Sequence, residues 1–447
     1  MKQRIISEIY DENTGEIISQ VTIMDKVIEE AKEMDQLGFT RKDSIEILKN
    51  IQEEYLKEQS KLLHPKKCPH CGAKTRLYGS HISLFHGVFS DHRLNIHKAQ
   101  CTSCKKIKTT TIKGLFGNNK HRDLLKAQIM KASEMSFVDA QKSLDAEVGE
   151  PRSVNCQNNL KVFSNQVGSI LKEVRKEDTS STEQANTLII GVDGGYIKSN
   201  KDNRNRFEAL VGKIYRPEKH VIKNNKNSRN SCTMSSEYVA SAIADRGSSF
   251  EQLLIAAARR QGLNEKTHVL YLSDGANNCW KAASLLLKLF KVKITKILDW
   301  WHIQDKLSKL DKRVKDDQEL LDAIDSVRWS IWNKSDKMND RISSLIELVK
   351  NDITLLEKVV EFKEYIANNS EYLVNYKERK ENNEPFTSSF IESAVEKIIN
   401  KRHKKQHKAQ WSKDGADNIL QIRTAAASDN WDKTWDNLYH KMYKKAA

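Results

Sequence analysis

Three aspartates in this chain each follow an apolar run. Thr187–Val192 (TLIIGV) leads into Asp193-Gly194-Gly195, Thr267–Leu272 (THVLYL) into Ser273-Asp274-Gly275, and Val292–Leu298 (VKITKIL) into Asp299. Short apolar runs ending in turn residues read as buried strands. In open α/β sheets reactive groups gather at strand ends. A strand holds a carboxylate rigidly, and the glycine after Asp193 and Asp274 lets a ligand or other backbone approach. Carboxylates clustered without basic partners repel one another. A hard divalent cation, Mg2+ or Mn2+, removes that repulsion. Two such ions about 3.5–4 Å apart can activate a water or a 3′-hydroxyl and stabilise the leaving oxygen of a phosphodiester. The plainer reading of one Asp-Gly pair is a helix cap or a turn; three such strand ends in one chain favour a shared site. Asp299 and His302 form an Asp-x-x-His pair, for which a helix-start cap is the structural alternative. Trp300 and Trp301 between them read as core packing before base stacking.

A second constellation lies upstream. Cys68-Pro69-His70-Cys71 and Cys101-Thr102-Ser103-Cys104 are two CxxC knuckles. Four thiolates so paired make a closed, structural Zn2+ site that folds its surroundings rather than catalysing. The long gap between the knuckles suits a zinc ribbon with a hairpin insert. His81, His86, His92 and His97 lie in that insert and leave a mixed Cys/His site open. The total of seven cysteines is odd, which argues against a disulfide framework.

The 75 Lys and Arg outnumber the 60 Asp and Glu by 15 in 447 residues, which favours a polyanionic partner, nucleic acid first. No apolar run is long enough for a transmembrane helix, and the N-terminus has no signal-peptide core. A cytoplasmic protein with no membrane partner is therefore expected. Gly (17) and Pro (5) are scarce, which suits a helix-rich chain with few long linkers.

The elements that must position these residues can be read in outline. Residues 1–20 suggest a hairpin and 22–62 an amphipathic helix broken at Gly38. Residues 121–173 suggest a helix-turn-helix: Leu124–Met135, then a helix capped by Ser136, then a third capped by Ser153 and running to about Phe163. Arg152, Asn155, Gln157, Asn158, Asn159 and Lys161 on or before that third helix carry groups that read base edges; an ordinary helical hairpin is the alternative. Phe207–Tyr215 and Lys219–Lys223 read as strands, Ser236–Gln261 as helix, Asn277–Phe290 as amphipathic helix, and 303–380 as charged helices. A basic run, Lys401, Arg402, His403, Lys404, Lys405, Gln406, His407 and Lys408, suits phosphate contact. Gln410 and Trp411 follow it.

Four ordered blocks carry a resemblance. They are Asp193-Gly194-Gly195-Tyr196; Ser273-Asp274-Gly275-Ala276; Leu298-Asp299-Trp300-Trp301-His302; and Ser388-Ser389-Phe390-Ile391-Glu392-Ser393-Ala394-Val395. The last leads into Lys401-Arg402, Lys404-Lys405-Gln406, Gln410-Trp411-Ser412 and the stretch Asp417–Thr424. Together they resemble the signature blocks of bacterial insertion-sequence transposases with an RNase H-like DDE core, the Kra group, which is related to the Mutator-like transposases. The resemblance covers about residues 185–440.

The resemblance implies that Asp193 and Asp274 are catalytic carboxylates and Glu392 the third, with Glu384 and Glu396 as nearby alternatives. It gives Asp299 and His302 an accessory role. It implies a mixed α/β fold, an RNase H-like core of about five strands holding an all-helical insertion, preceded by a zinc ribbon and a helix-turn-helix module. The expected division is an N-terminal hairpin and helical region at 1–62, the zinc ribbon at 63–115, the helix-turn-helix at 120–175, the first part of the core at 186–302, the insertion at 303–385, and the Glu392 helix with its basic tail at 386–447. The implied enzyme is a transposase that binds element ends in double-stranded DNA. It nicks them and joins the freed 3′-hydroxyl to target DNA, as a homodimer in the bacterial nucleoid. A catalytically silent DNA-binding regulator and a nuclease that cuts without joining are the alternatives.

Overall fold

Alternation of side chains makes the first strands, β1 (Lys2–Tyr10) and β2 (Ile17–Val27), an antiparallel hairpin. Its turn is closed by Asp11, whose carboxylate accepts the N–H of Asn13, and by Gly15 at φ +72°. The structure, a computed structural model, describes all residues except Thr182, residues 202–204 and 226–227, Met234, Ala244, and residues 246–247, 405–408 and 444–447. The side chains of Asp35 and of residues 219–225 and 228–233 are likewise outside the description. The expected helix over 22–62 begins only at α1 (Arg41–Leu62), because Thr40 and Asp43 form a capping box there and residues 22–27 stay in β2.

The chain divides into two compact units, Met1–Phe163 with Asp432–Ala447, and Ser164–Trp431. In the first unit, β3 (Thr75–His86), β4 (Asp91–Cys101) and β5 (Ile107–Lys108) form an antiparallel sheet. Helices α2 (Ile112–Phe116), α3 (Arg122–Glu134) and α4 (Phe137–Val148) follow. Ser136 caps α4 as expected, its hydroxyl accepting the Asp139 N–H, and Gly149 ends α4 in the left-handed region. Ser153 opens only a short 3-10 turn, and the long helix α5 (Gln157–Glu177) runs past Phe163 into the second unit.

The second unit is built on β6 (Thr187–Lys198) and β7 (Arg206–Tyr215). A separate ribbon, β8 (His220–Asn225) and β9 (Ser228–Thr233), precedes β10 (Ser236–Ser241) and α6 (Ser248–Arg260). Ser236–Gln261 is therefore not one helix: its first six residues complete the sheet by pairing with β7. Then come β11 (His268–Ser273), α7 (Asn277–Phe290) and β12 (Lys293–Leu298). The five strands lie in the order β10-β7-β6-β11-β12. β6 pairs antiparallel with β7 and parallel with β11, which is parallel to β12.

Helices α8 (Trp300–Asp311), α9 (Gln318–Trp332), α10 (Met338–Leu348), α11 (Ile353–Asn368) and α12 (Tyr376–Glu381) share a continuous core with one sheet face, through Leu188, Ile190, Val192, Tyr271, Ile303, Phe362 and their neighbours. Helix α13 (Ser389–Val395) packs on the other face and continues as a π-helical segment, Glu396–Lys404. Helices α14 (Lys413–Ala427) and α15 (Trp431–Tyr443) complete the chain. Among the described residues no helix is long and apolar enough to cross a membrane.

Candidate active site

The sheet register sets the three aspartates side by side. Val192 pairs with Ser273, and Ser273 with Leu298. The next residue on each strand path is Asp193, Asp274 and Asp299, one row across β6, β11 and β12. Side chains alternate along a strand. The row one step back on the same face is Gly191, Leu272 and Ile297. Phe390 of α13 packs against Leu272, Ile297 and Ile189, so all three aspartates belong to the face that carries α13.

Two glycines admit that helix. A Cβ on Gly191 would stand 2.5 Å from the Phe390 ring, and one on Gly195 would stand 2.9 Å from Ile399 and 3.5 Å from Val395. Gly191 and Gly195 flank Asp193 at the same-face spacing. Phe390 and Ile391 close on one, Val395 and Ile399 on the other, and Glu392 lies in the turn of helix between them. Asp193 does not end its strand as its sequence suggests: β6 runs on to Lys198, because the antiparallel ladder with β7 continues to Arg206.

The hydrogen bonds divide the carboxylates into two kinds. Asp193 Oδ1 accepts its neighbour's Gly194 N–H at 2.7 Å. Asp274 Oδ1 accepts the Ala276 N–H at 2.9 Å. Among the described residues the second oxygen of each, and the whole carboxylate of Glu392, takes no hydrogen bond and no ion pair. Burial raises the Asp193 carboxyl above the usual aspartate range; the Gly194 N–H and His302 oppose this, while the charges of Asp274 and Asp299 add to it. Burial likewise raises Glu392, against His302 and with the charges of Asp299, Asp193 and Asp305. These mutual influences define one electrostatic cluster of Asp193, Asp274, Asp299, His302 and Glu392.

Asp299 is of the other kind. It is fully buried. Its Oδ1 accepts the Trp301 N–H at 3.0 Å, capping α8, and the Ser388 N–H at 2.7 Å. Its Oδ2 accepts the Ser388 hydroxyl and lies 3.7 Å from His302 Nε2. Asp299 is thus a helix cap and a latch: through Ser388 it ties the start of α13 to the sheet. Ser388→Ala is expected to destabilise the chain by about 1–3 kcal/mol, because a buried carboxylate loses a partner. Denaturant unfolding measures this; an unchanged midpoint would mean that Phe390 packing alone seats α13. His302 Nε2 has no hydrogen-bond partner although it is enclosed, and it points the cluster's one titratable cation-former at the carboxylates. Trp300 packs edge-on against Trp332 and tilted against Tyr376, ring centres 4.7 and 5.0 Å away, as core; Trp301 stays 41% exposed.

Among the described residues only the four cysteines bring three or more potential ligand atoms within 4.8 Å of one another. The carboxylates stand wider than a single-ion ligand set. At the cysteines, Cys68 and Cys104 sulfurs are 3.7 Å apart, Cys71 and Cys101 3.4 Å. A tetrahedron with Zn–S near 2.3 Å has edges of about 3.8 Å. Backbone N–H groups of His70 and Cys71 lower the Cys68 thiol, as suits a ligand. The cluster could hold a structural zinc ion. Two of the insert histidines are engaged elsewhere: His86 Nδ1 meets Asp91 at 2.8 Å and His92 Nε2 meets the Ser90 hydroxyl at 2.8 Å.

Several residues read as DNA contacts turn out to face inward. Arg152 is 5% exposed; its guanidinium donates to the Val88 and Gly87 carbonyls and pairs with Asp91. Asn155 is buried against Gln128 and Asp145. Arg402 and His403 are buried, the first stacked 4.7 Å from the Trp411 ring centre, and burial takes the His403 imidazole down to about 3. Trp411 is held by a bridge to Ser199. A helix turns every third or fourth side chain inward, so a linear basic run cannot all face DNA. Asn158, Asn159, Lys161, Lys401, Lys404 and Gln410 are exposed. Lys405, Gln406 and Lys408 lie outside the described residues.

Ser388 and the Gly191–Gly195 bracket were not singled out from the sequence. The alternation Gly-x-Asp-x-Gly was the available signal, since glycine inside a strand marks close backbone approach. Nothing local marks Ser388.

No family model matches the chain, and no curated protein does. A solved structure titled "Drosophila P element transposase strand transfer complex" aligns over 73% of this chain and 81% of that one, at 10% identity and a TM-score of 0.24. A superposition this loose carries no argument about fold or activity.

Proposed function

We propose that the chain is a DNA transposase of the DDE type, with Asp193, Asp274 and Glu392 as its catalytic carboxylates. The observation that carries this reading is the placement of three carboxylates with unpaired oxygens: two on adjacent parallel strands in one row, and the third on a helix seated over that row. A five-stranded sheet with a helical insertion between the second and third carboxylates supports reading the core as RNase H-like. The donor set fits hard divalent cations, because carboxylates that lack cationic partners and stand beside like charge, as Asp193 and Glu392 do, are what such an ion relieves. A two-ion site also needs carboxylates spread wider than a one-ion set.

When bound, two Mg2+ or Mn2+ ions would supply activation of the attacking oxygen and stabilisation of the leaving oxygen of the phosphodiester. The chain's own part is positioning. The Gly194 and Ala276 N–H groups hold one oxygen of Asp193 and Asp274, leaving the other directed at the site. Tyr365 donates its hydroxyl to the Asp274 carbonyl at 2.8 Å, fixing the turn that presents this carboxylate. His302, whose enclosed Nε2 lies 3.7 Å from Asp299 Oδ2, helps to seat the carboxylates. Lys401 and Lys404 offer charges to the backbone, and Asn158, Asn159 and Lys161 suit reading of base edges at the element's ends. Two copies would hold two ends.

The test is labelled duplex DNA carrying the element's own ends, incubated with purified protein and Mg2+ or Mn2+, beside EDTA. Metal-dependent nicks at the ends with joined products support the transposase. Nicks without joining would indicate a nuclease, and tight binding without cleavage a silent regulator.

A further inference from the structure

Beyond the carboxylates, α8 and α11 enclose a cavity of ≈ 550 Å³. Its lining is cationic: Lys306 and Lys309 from α8, Lys312 and Arg313 from the turn that follows it, and Lys358 opposite Glu361 from α11. Lys309 pairs with Asp305 at 2.5 Å and Lys358 with Glu361 at 2.8 Å. Among the described residues Lys306, Lys312 and Arg313 have no carboxylate within ion-pair distance. The hydrogen bond from Lys358, with the charges of Lys306 and Arg313, holds Glu361 below the usual glutamate range. With Lys309 and Lys358 paired, the three cations Lys306, Lys312 and Arg313 are the excess positive charge left uncompensated.

The cleft begins at Lys306, about one turn of α8 beyond His302 of the candidate site. His302, Lys306 and Lys309 follow at spacings of four and three along α8, which is one helical face, and Lys312 and Arg313 come just past its end. The Lys306 ammonium stands 4.5 Å from the Tyr365 ring centre, and the Tyr365 hydroxyl bonds the Asp274 carbonyl. From His302 to Lys309 the helix advances about 10 Å, or roughly three steps of a DNA strand at about 3.4 Å each, and Lys312 and Arg313 follow in the turn beyond it.

We propose that this cleft is a phosphate track: it binds the backbone of the DNA strand running away from the carboxylates, over about three nucleotides along α8. This rests on the reading of the carboxylate cluster as a DNA-cleaving site. A nucleic-acid backbone suits the cleft better than a free nucleotide because the cations form a line leading from the cluster, not a single knot.

The experiment uses the full chain in EDTA, so that binding is read without chemistry. Affinity for a labelled duplex bearing the element end is measured across salt for the natural protein, for Lys312→Glu/Arg313→Glu, for Arg313→Lys, and for Asp274→Asn. Lys312 and Arg313 are exposed, so reversal should leave the fold intact, which circular dichroism checks. The double variant is expected to bind about 10–100-fold more weakly and to lose roughly two from the slope of log K against log salt, at about 0.9 per phosphate contact. Arg313→Lys and Asp274→Asn should keep the natural slope. An unchanged slope and affinity in the double variant overturns the track. So does ATP competing with DNA at micromolar concentration in the natural protein only, which would make the cleft a nucleotide site. If the natural protein never cleaves but the double variant still loses affinity and slope, the transposase reading falls and the phosphate track stands.

Discussion

Asp193→Asn, Asp274→Asn and Glu392→Gln are each expected to abolish DNA cleavage, by roughly 10³-fold or more, while the first and third make the metal-free protein more stable. The loss is large because each residue is proposed to touch the metal ions directly; removing even a partner of a metal ligand costs about 10–100-fold. The gain in stability follows from the raised carboxyls of Asp193 and Glu392. A carboxyl whose pKa is higher in the folded chain than in the unfolded one favours folding in its protonated form. Its contribution is full below the unfolded value, near 3.9 for Asp and about 4.3 for Glu. It is lost as pH rises through the folded value. Once deprotonated, each group is unpaired and beside like charge, so neutral isosteres relieve strain that the fold tolerates for function. A relief of about 1 kcal/mol would lift the melting temperature by about 2–4 °C in a unit of this size. Divalent ion should stabilise the natural protein, by about 2.7 kcal/mol at a hundredfold excess over Kd, and the variants much less. The same raised carboxyls predict that cleavage declines on the acid side at higher pH than ordinary carboxylates would give. Melting curves with and without Mg2+, set beside cleavage rates, test both halves. Lowered melting temperatures together with retained cleavage would end the assignment.

The other large effect belongs to the four cysteines. The purified chain is expected to carry one zinc ion, and Cys101→Ser or a strong chelator should melt the β3–β4–β5 sheet. The apolar cluster there is small, with Leu94, Ile96 and Ile112 buried and Leu56, Leu63 and Phe85 half-buried around them. A structural zinc contributes about 10–16 kcal/mol in isolated zinc-binding peptides at neutral pH, more than so small a core supplies. Hydrogen exchange over residues 75–108 should rise to that of an unfolded segment, and metal content should fall to zero. Residues 187–198 and 268–273 should keep their protection, since they lie in the other unit. His92→Ala should leave the zinc content unchanged, because that imidazole is bonded to Ser90. Full exchange protection in a zinc-free chain would show that the sulfurs are held by packing alone.

Much of the local architecture was legible. Asn277–Phe290 was read with the bounds it has, and the strands around 187–192, 268–273 and 293–298 were read to within a residue where they begin. Apolar runs and caps act through neighbours in sequence, so their signals are local. Ser136 as a cap and the cysteine knuckles are of the same kind. The reading failed where an element's state depended on a distant partner. Ser236–Ser241 has helix-compatible composition but becomes a strand because β7 offers an unpaired edge. Residues 22–27 extend a hairpin because β1 is there to pair with them.

What the sequence by itself determined is therefore the inventory: which aspartates end or punctuate strands, which cysteines pair by spacing, where helices start, and that the chain carries surplus positive charge. Only the tertiary structure decided direction and company. The parallel register put Asp193, Asp274 and Asp299 in one row; buried hydrogen bonds then withdrew Asp299 into a latch on Ser388 and left the other two open. Two glycines let α13 bring Glu392 over Asp193. Arg152, Arg402 and Trp411 turned inward, and a cationic cleft formed between helices some fifty residues apart in sequence. The reason is that propensity and capping act within a few residues, whereas burial and charge pairing are settled by whichever distant groups the packed sheet and helices bring alongside.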